Sequence, residues 1–319
     1  MSAAPEIPFA FTAERLDGHR QDAAWLAAAL KDAGTRYVPV RAGPGSFQNS
    51  YIWQGATPRA LLLDAGTAAP LQAAAFCCVL LGEVQGKPCF ALGLEADAAL
   101  PDAVHDDLRG VSALLPADEL ALLGYARAMV HWQRQHRFCG HCGALMHDLR
   151  AGHERQCARC GSGYFPRIDP AIIVLVTDGA RALLGRQPSW PQGRYSTIAG
   201  FVEHGETLEA AVVREVQEET NITVRAPRYV ASQPWPYPGS LMLGFRAEAA
   251  STEIRNNDGE LEHAAWFTRD EIAESVDGGL MMPPSRSISY KLIRAWFEEE
   301  TGRDFGALRH VDPNRAGRR

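Results

Sequence analysis

The stretch Gly200–Ile222, GFVEHGETLEAAVVREVQEETNI, packs six glutamates into 23 residues. Leu208, Ala211, Val212 and Val216 recur in it at helical spacing, so it reads as an amphipathic helix with one buried stripe. Thr207 stands where an N-cap belongs. Glu209 falls in the first turn, where a carboxylate meets the positive end of the helix dipole. At about 100° per residue, Glu215, Glu218 and Glu219 share one arc of roughly 100°. Arg214 lies one turn before Glu218 and can pair with it. Two readings fit this crowding. One is a solvated charged face. The other is a hard-cation site, because magnesium or manganese prefers carboxylate oxygens and keeps positions open for water and phosphate. Periodicity alone does not choose between them.

Upstream lies a different unit. CGHCG at Cys139–Gly143 and CARCG at Cys157–Gly161 form a small internal repeat, with fourteen residues between the pairs. Two such turns can place Cys139, Cys142, Cys157 and Cys160 tetrahedrally around one zinc. The glycine after each second cysteine permits a left-handed turn that aims amides at sulfur. Four thiolates close the coordination shell, so the zinc is assigned a structural role. His141, His147 and His153 lie nearby; four cysteines suffice, and the histidines are read as solvated. The region from 137 to 168 is too short and too poor in aliphatics to build a core unaided.

Residues 1 to about 136 read as a mixed α/β region. QDAAWLAAALKDAG has helical spacing and stops at Gly34, a candidate C-cap. RALLLDAG and FCCVLLGEVQGKPCFALGL read as strands. LPADELALLGYARAMVHWQRQH reads as a long helix with Pro116 near its start. Cys77, Cys78 and Cys89 sit in apolar strands and are read as small buried hydrophobes. After Pro166, AIIVLVTDGARALLGRQ reads as a hairpin around Asp178-Gly179. SRSISYKLIRAWFEEET reads as a C-terminal helix, and residues 306–319 as a disordered tail.

The chain has 319 residues, enough for about two domains of ordinary size. A formal charge of −6 argues against broad nucleic-acid binding, which needs clustered Lys and Arg, though not against a local basic pocket. The first residues lack a basic segment followed by an apolar one, and the longest apolar runs are too short to span a bilayer. Seven cysteines, four of them in CxxC pairs, suit a metal in a reducing compartment; a cytoplasmic protein is expected.

The pattern Gly200, five residues, Glu206, seven residues, then Arg214-Glu215-Val216-Gln217-Glu218-Glu219 resembles the Nudix box, the signature of hydrolases that cleave a nucleoside diphosphate linked to another group. One position departs: the family has Gly two residues after the last glutamate, and Asn221 stands there. Asn is, after Gly, the residue best able to adopt the left-handed conformation of a helix C-cap, so the turn should survive. The resemblance implies an α+β fold: a Nudix α/β/α sandwich at 169–305, preceded by the zinc ribbon at 137–168 and a degenerate Nudix-like α/β domain at 1–136. It implies that Glu215, Glu218 and Glu219 serve catalysis and, with Glu260 and the Ala199 carbonyl, ligate magnesium or manganese.

SQPWPYPGSLM at Ser232–Met242 alternates prolines with aromatics, a stiff segment that reads as a surface turn or as a ledge of exposed rings on which a base stacks. It resembles the SQPWPFPxS motif of the NADH pyrophosphatases, which also carry a four-cysteine ribbon before the Nudix domain and an aromatic pair with Pro, here Tyr164–Pro166. The resemblance implies a substrate pocket lined by Gln233, Pro234, Trp235, Pro236, Tyr237, Pro238, Gly239 and Ser240. It adds Phe165 and Phe201 as stacking rings, Ser289 as a backbone-contacting position and Arg109, in DLRG, as a further contact. Phe165 replaces the family's usual Tyr, which keeps the ring and loses a hydroxyl. The implied activity is hydrolysis of NADH or NAD to nicotinamide mononucleotide plus AMP, by a homodimer. Alternatives are removal of NAD caps from RNA, hydrolysis of another nucleoside diphosphate such as ADP-ribose, and a zinc-ribbon module that only binds nucleotides.

Overall fold

The computed structural model describes residues 8–43, 46–54, 57–100, 103–255, 259–278 and 280–308. Residues 309–319 of the expected tail lie outside them. Phe305–Ala307 is a 3-10 turn, with Phe305 buried against Tyr290 and Phe297. Two compact units divide the chain: Phe9–Ile168 with Trp235–Gly239, and Asp169–Pro234 with Ser240 onward. The expected N-terminal domain and ribbon thus share one unit.

In chain order the first unit contains α1 (Ala23–Ala29), β1 (Arg36–Gly43), β2 (Ser46–Gln54), β3 (Thr57–Ala60), α2 (Ala65–Ala74), β4 (Cys77–Val84), β5 (Lys87–Leu94), β6 (Val104–Asp106), α3 (Leu108–Val111) and α4 (Ala117–Gln135). Its main sheet runs β3-β2-β1-β5-β4, with β6 beside β2. β1 and β5 are parallel. Alternate residues bury on opposite faces, as strand geometry requires. Val38, Val79 and Ala91 pack with Leu123, Ala126 and Val130 of α4. Tyr37, Leu80 and Phe90 pack with Ala29 and Ala68 of α1 and α2.

Two expectations fail here. RALLLDAG is strand only as far as Ala60. Asp64 then caps α2 by accepting from Thr67 N at 2.8 Å; Gly66 and Pro70 had hidden that helix. α1 ends at Ala29, before Gly34, whose amide instead bonds Asp32 Oδ1 at 2.6 Å in a turn leading to β1.

The ribbon adds β7 (Met146–Leu149), β8 (Glu154–Cys157) and β9 (Gly163–Tyr164) as a three-stranded sheet. Arg155, 6% exposed, ties it to α4: Nη1 donates to the Gln133 and His136 carbonyls at 2.9 and 3.0 Å, at the helix's electronegative end. His141 and His147 are exposed, as expected. His153 is not solvated. It is 9% exposed, its Nε2 lies 2.7 Å from the Leu80 carbonyl, and burial holds its pKa down at about 4. The ribbon docks on β4 there, with Gly152 packed so closely that a Cβ would meet Val79 Cγ2 at 2.8 Å.

The second unit contains β10 (Asp169–Thr177), β11 (Arg181–Arg186), β12 (Ile198–Phe201), α5 (Leu208–Thr220), β13 (Val224–Trp235), β14 (Ser240–Ala249), β15 (His263–Thr268), α6 (Arg269–Gly278) and α7 (Ile288–Thr301). The sheet runs β13-β14-β10-β11-β15, and β12 pairs with the first half of β10. β10 and β14 are parallel. The unbroken apolar run of β10 is explained by burial on both faces. Ile172, Val174 and Val176 face α5, with Ala211, Val212 and Val216. Ile173 and Leu175 face α7, with Ile293, Trp296 and Phe297. The expected α/β/α sandwich is therefore present, and the glutamate helix is one of its outer layers.

Candidate active site

α5 begins and ends as its sequence dictates. Thr207 Oγ1 accepts from Ala210 N at 3.2 Å. Asn221 closes the helix at φ 63°, ψ 10°, its amide bonded to the Gln217 carbonyl at 2.9 Å. Between them the three glutamates separate by burial. Glu215 is 9% and Glu219 4% exposed, whereas the Glu218 side chain is 52% exposed. Glu215 lies against β12: a Cβ on Gly200 would meet its carboxyl carbon at 2.0 Å and its oxygens at 2.1 and 2.2 Å. Only glycine leaves room for the carboxylate there.

Arg214 organises the cluster, far beyond the single pair with Glu218 that spacing suggests. Nε and Nη2 grip Glu206 at 2.6 and 2.9 Å. Nη1 reaches Glu215 and Glu218, both at 2.9 Å, and Nη2 donates to the Phe201 carbonyl at 2.9 Å. Arg214 and the Glu203 amide pull the Glu206 carboxyl down to about 2. Burial pushes Glu215 above its ordinary value, against the pull of Arg214, and the nearby charges of Glu218 and Glu260 add to the rise. A buried carboxylate raised by desolvation and flanked by further carboxylates is suited to a cation. Glycine at position 200 supplies the cradle. By donor chemistry the carboxylate oxygens of Glu215 and Glu218 suit a hard divalent ion, but among the described residues the acids are not gathered within 4.8 Å of one another as the four cysteines are. Phe201 follows on the same strand, 60% exposed.

Ser289 sits inside the same unit. It is 2% exposed, and its Oγ lies 2.9 Å from Ser196 Oγ and 2.8 Å from Thr197 Oγ1. It holds the residues that lead into β12 and presents no free surface. Gln233 is 0% exposed. Its Nε2 donates to the Arg286 carbonyl at 2.8 Å and its Oε1 accepts from Ile288 N at 2.8 Å, which anchors β13 to the start of α7. Gln233 was expected to line the substrate pocket and Ser289 to be a backbone-contacting position. Pro234 is half-buried and Ser240 buried.

Trp235–Gly239 belongs to the first unit. The expected ledge of exposed rings is not what forms. Trp235 and Tyr237 are half-buried, and Phe9 meets both edge-on, at centroid distances of 6.1 and 5.9 Å. Pro236 is buried, Gly239 half-buried and Pro238 exposed. An apolar ring gains more from covering its faces than from solvent, and Phe9 supplies the cover. Arg109 is exposed, with its guanidinium carbon 4.2 Å from the Tyr237 ring centroid. Phe165 is 55% exposed.

The cysteines converge as their spacing implies. Their four Sγ atoms lie within 4.8 Å of one another, the one such set of potential metal ligands among the described residues. Cys139 and Cys160 are 3.6 Å apart, Cys142 and Cys157 3.5 Å. A tetrahedron with Zn–S bonds of about 2.3 Å has edges of about 3.8 Å, so the set fits zinc. Gly143 and Gly161 take φ of 73° and 75°, the left-handed turns of the two knuckles. Ser162, through its hydroxyl and amide, draws the Cys160 thiol down to about 6.

A sandwich whose box helix meets a glycine cradle, together with a closed four-thiolate ribbon, defines a zinc-containing Nudix protein. Comparison with known families agrees. The NUDIX domain model matches residues 167–287, the NADH pyrophosphatase zinc ribbon domain 134–165, and the NADH pyrophosphatase-like rudimentary NUDIX domain 35–132. The chain is similar to the NAD-capped RNA hydrolase NudC of Stutzerimonas stutzeri, 42% identical over 70% of this chain and 78% of the relative. The Pseudomonas aeruginosa protein of that name is 42% identical over 70% and 77%, and the Mycobacterium bovis one 43% over 68% and 74%. The chain belongs to the Nudix hydrolase family, in its NADH pyrophosphatase branch. No helix among the described residues is long and apolar enough to cross a membrane.

Proposed function

We propose that this enzyme hydrolyses the diphosphate of NADH or NAD, giving reduced or oxidised nicotinamide mononucleotide and AMP. The carrying observation is the α5 cluster, with Glu215 buried against Gly200 and Arg214 bridging Glu206, Glu215 and Glu218. Glu215, Glu218, Glu219, Glu260 and the Ala199 carbonyl would hold magnesium or manganese, which when bound neutralises the diphosphate and makes water more acidic. The protein's own part is positional. Arg214 fixes the directions of three carboxylates, and Glu218, the exposed one, is placed to accept the proton of an attacking water. Oxygen of that water bonds to phosphorus, the bridging P–O bond breaks, and each product leaves as a monophosphate. Phe201, Phe165 and the Gln233–Ser240 segment are proposed to recognise the nucleotides, with Gln233 and Ser289 acting from within the fold. We also propose a homodimer in the cytoplasm.

Removal of NAD caps from RNA is a second reading of the same chemistry. The three relatives above carry that activity in their name. The ribbon keeps it open: residues 134–165 hold five arginines and two acids, although Arg134, Arg150 and Arg155 are paired with Glu95, Asp17 and Asp148. The test is chromatography of products from NADH, NAD, ADP-ribose and NAD-capped RNA with each metal. Mononucleotides from NADH are expected. Strong preference for ADP-ribose overturns the substrate assignment, and wild-type turnover by Glu218→Gln overturns the catalytic one.

A further inference from the structure

Arg127, on α4, is a charged residue only 5% exposed. Burying a guanidinium is costly unless its donors are matched, and here they are. Nε donates to the Pro236 carbonyl at 3.2 Å. Nη1 lies 3.4 Å from Asn49 Oδ1, and Nη2 2.9 Å from Asp107 Oδ2. Asn49 is itself fixed, its Nδ2 donating to the Leu123 carbonyl at 3.0 Å. The Arg127 guanidinium carbon is 5.4 Å from the Tyr237 ring centroid.

Asp107 works in two directions. While Oδ2 holds Arg127, Oδ1 accepts from Arg109 N at 2.9 Å and starts α3. Arg109 then lies over Tyr237. One carboxylate therefore sets both arginines that meet this ring. One turn before Arg127, Gly124 brings α4 so close that a Cβ would meet Pro236 Cγ at 3.1 Å. None of these groups belongs to the glutamate cluster. All converge on Pro236 and Tyr237.

We infer that Arg127 is a positioning residue that sets the Trp235–Gly239 segment, with Asp107 as its anchor, and so governs how tightly the dinucleotide binds. This rests on the proposed role of that segment in nucleotide recognition. A planar fork with three directed donors is needed. Lysine keeps the charge but offers one ammonium for three separated acceptors.

The experiment compares wild type, Arg127→Lys and Asp107→Asn, each as full-length zinc-loaded protein, in steady-state kinetics on NADH. For both variants KM should rise about tenfold while kcat stays within about twofold, the signature of lost binding without lost chemistry. A variant that merely loosens the fold would instead lower kcat through loss of active protein. Should Arg127→Lys fail to fold, Asp107→Asn decides, because its remaining oxygen still starts α3. Calorimetry of NADH on Glu218→Gln, with and without Arg127→Lys, reads the same binding change without turnover. Equal dissociation constants there, or a wild-type KM in the folded variants, overturn this inference. Failure of the wild-type enzyme to cleave NADH overturns the proposed function instead.

Discussion

Gly200→Ala tests whether the cradle around Glu215 is what makes the cluster work. Gly200 has an ordinary extended backbone with no positive φ, so alanine meets no conformational obstacle and the effect is steric alone. The new methyl would stand 2.0 Å from the Glu215 carboxyl carbon, whereas real Cβ contacts do not fall under 3.0 Å. The carboxylate must therefore retreat by about 1 Å, and β12 cannot yield easily because Gly200 pairs with Ile172 in the sheet. A misplacement of about 1 Å in a catalytic constellation can cost about 100-fold, or about 2.7 kcal/mol in the barrier. The same strain should cost about 1–3 kcal/mol of stability, as overpacking does. The assays are kcat/KM on NADH and urea unfolding, run in a cycle with Glu215→Ala. Truncating Glu215 removes the atoms the methyl would strike. In that background Gly200→Ala should cost less than about 0.5 kcal/mol of stability, as a substitution that strikes nothing does, so the two changes are strongly coupled. An equal cost in both backgrounds, or a Gly200→Ala enzyme of wild-type kcat/KM, refutes the reasoning.

Three further outcomes are expected. His153 is held neutral, with its pKa lowered from 6.5 to about 4 by burial, so its contribution is fully present above 6.5 and is lost as pH falls through 4. The loss amounts to about 3 kcal/mol at most, so unfolding followed from pH 7 to pH 4 should steepen in wild type and flatten in His153→Gln. Cys157→Ser should abolish zinc binding and destabilise the first unit, which native mass spectrometry and thermal melts will show; retention of zinc by the variant would sink the ribbon assignment. Asn221→Gly replaces one left-handed residue with another and deletes weak bonds from Gln217 Nε2 and to the Glu253 carbonyl, both 3.3 Å. Its stability change should stay under about 1 kcal/mol with kcat unchanged; a large loss of kcat would show that the turn does more than end a helix.

Much of this architecture can be read from the chain because its signals are local. The α5 stripe, the Thr207 cap and the Asn221 turn each depend on neighbours within a few residues. The four cysteines carry their own spacing, and β10 shows burial on both faces through an unbroken apolar run. What sequence reading misplaces depends on distant partners. Nothing near Gln233 says that Arg286 and Ile288 will consume its amide. Nothing near Trp235 says that Phe9 will cover it. His153 looks like its neighbours His141 and His147 until β4 packs beside it. The Arg214–Glu206 grip falls between these cases. Both residues stand in the box, eight apart, but the loop that brings them together follows no helical rule.

The zinc ribbon and the proposed glutamate site illustrate opposite solutions to one electrostatic problem. The thiolates are gathered by backbone: two left-handed glycine turns and the end of β8 at Cys157 fix the sulfurs at tetrahedral spacing, so the set closes on one ion and excludes substrate. The glutamates share one helix, which cannot bring three carboxylates to a point. Like charges that close would also repel. Arg214 resolves this by supplying a positive centre whose planar fork orients Glu206, Glu215 and Glu218 while leaving Glu218 half in solvent. A guanidinium that only neutralised charge could be replaced by an ammonium. One that sets three directions cannot. The division of labour follows: Glu206 holds the arginine, the arginine orients Glu215 and Glu218, and Gly200 gives the buried Glu215 its place.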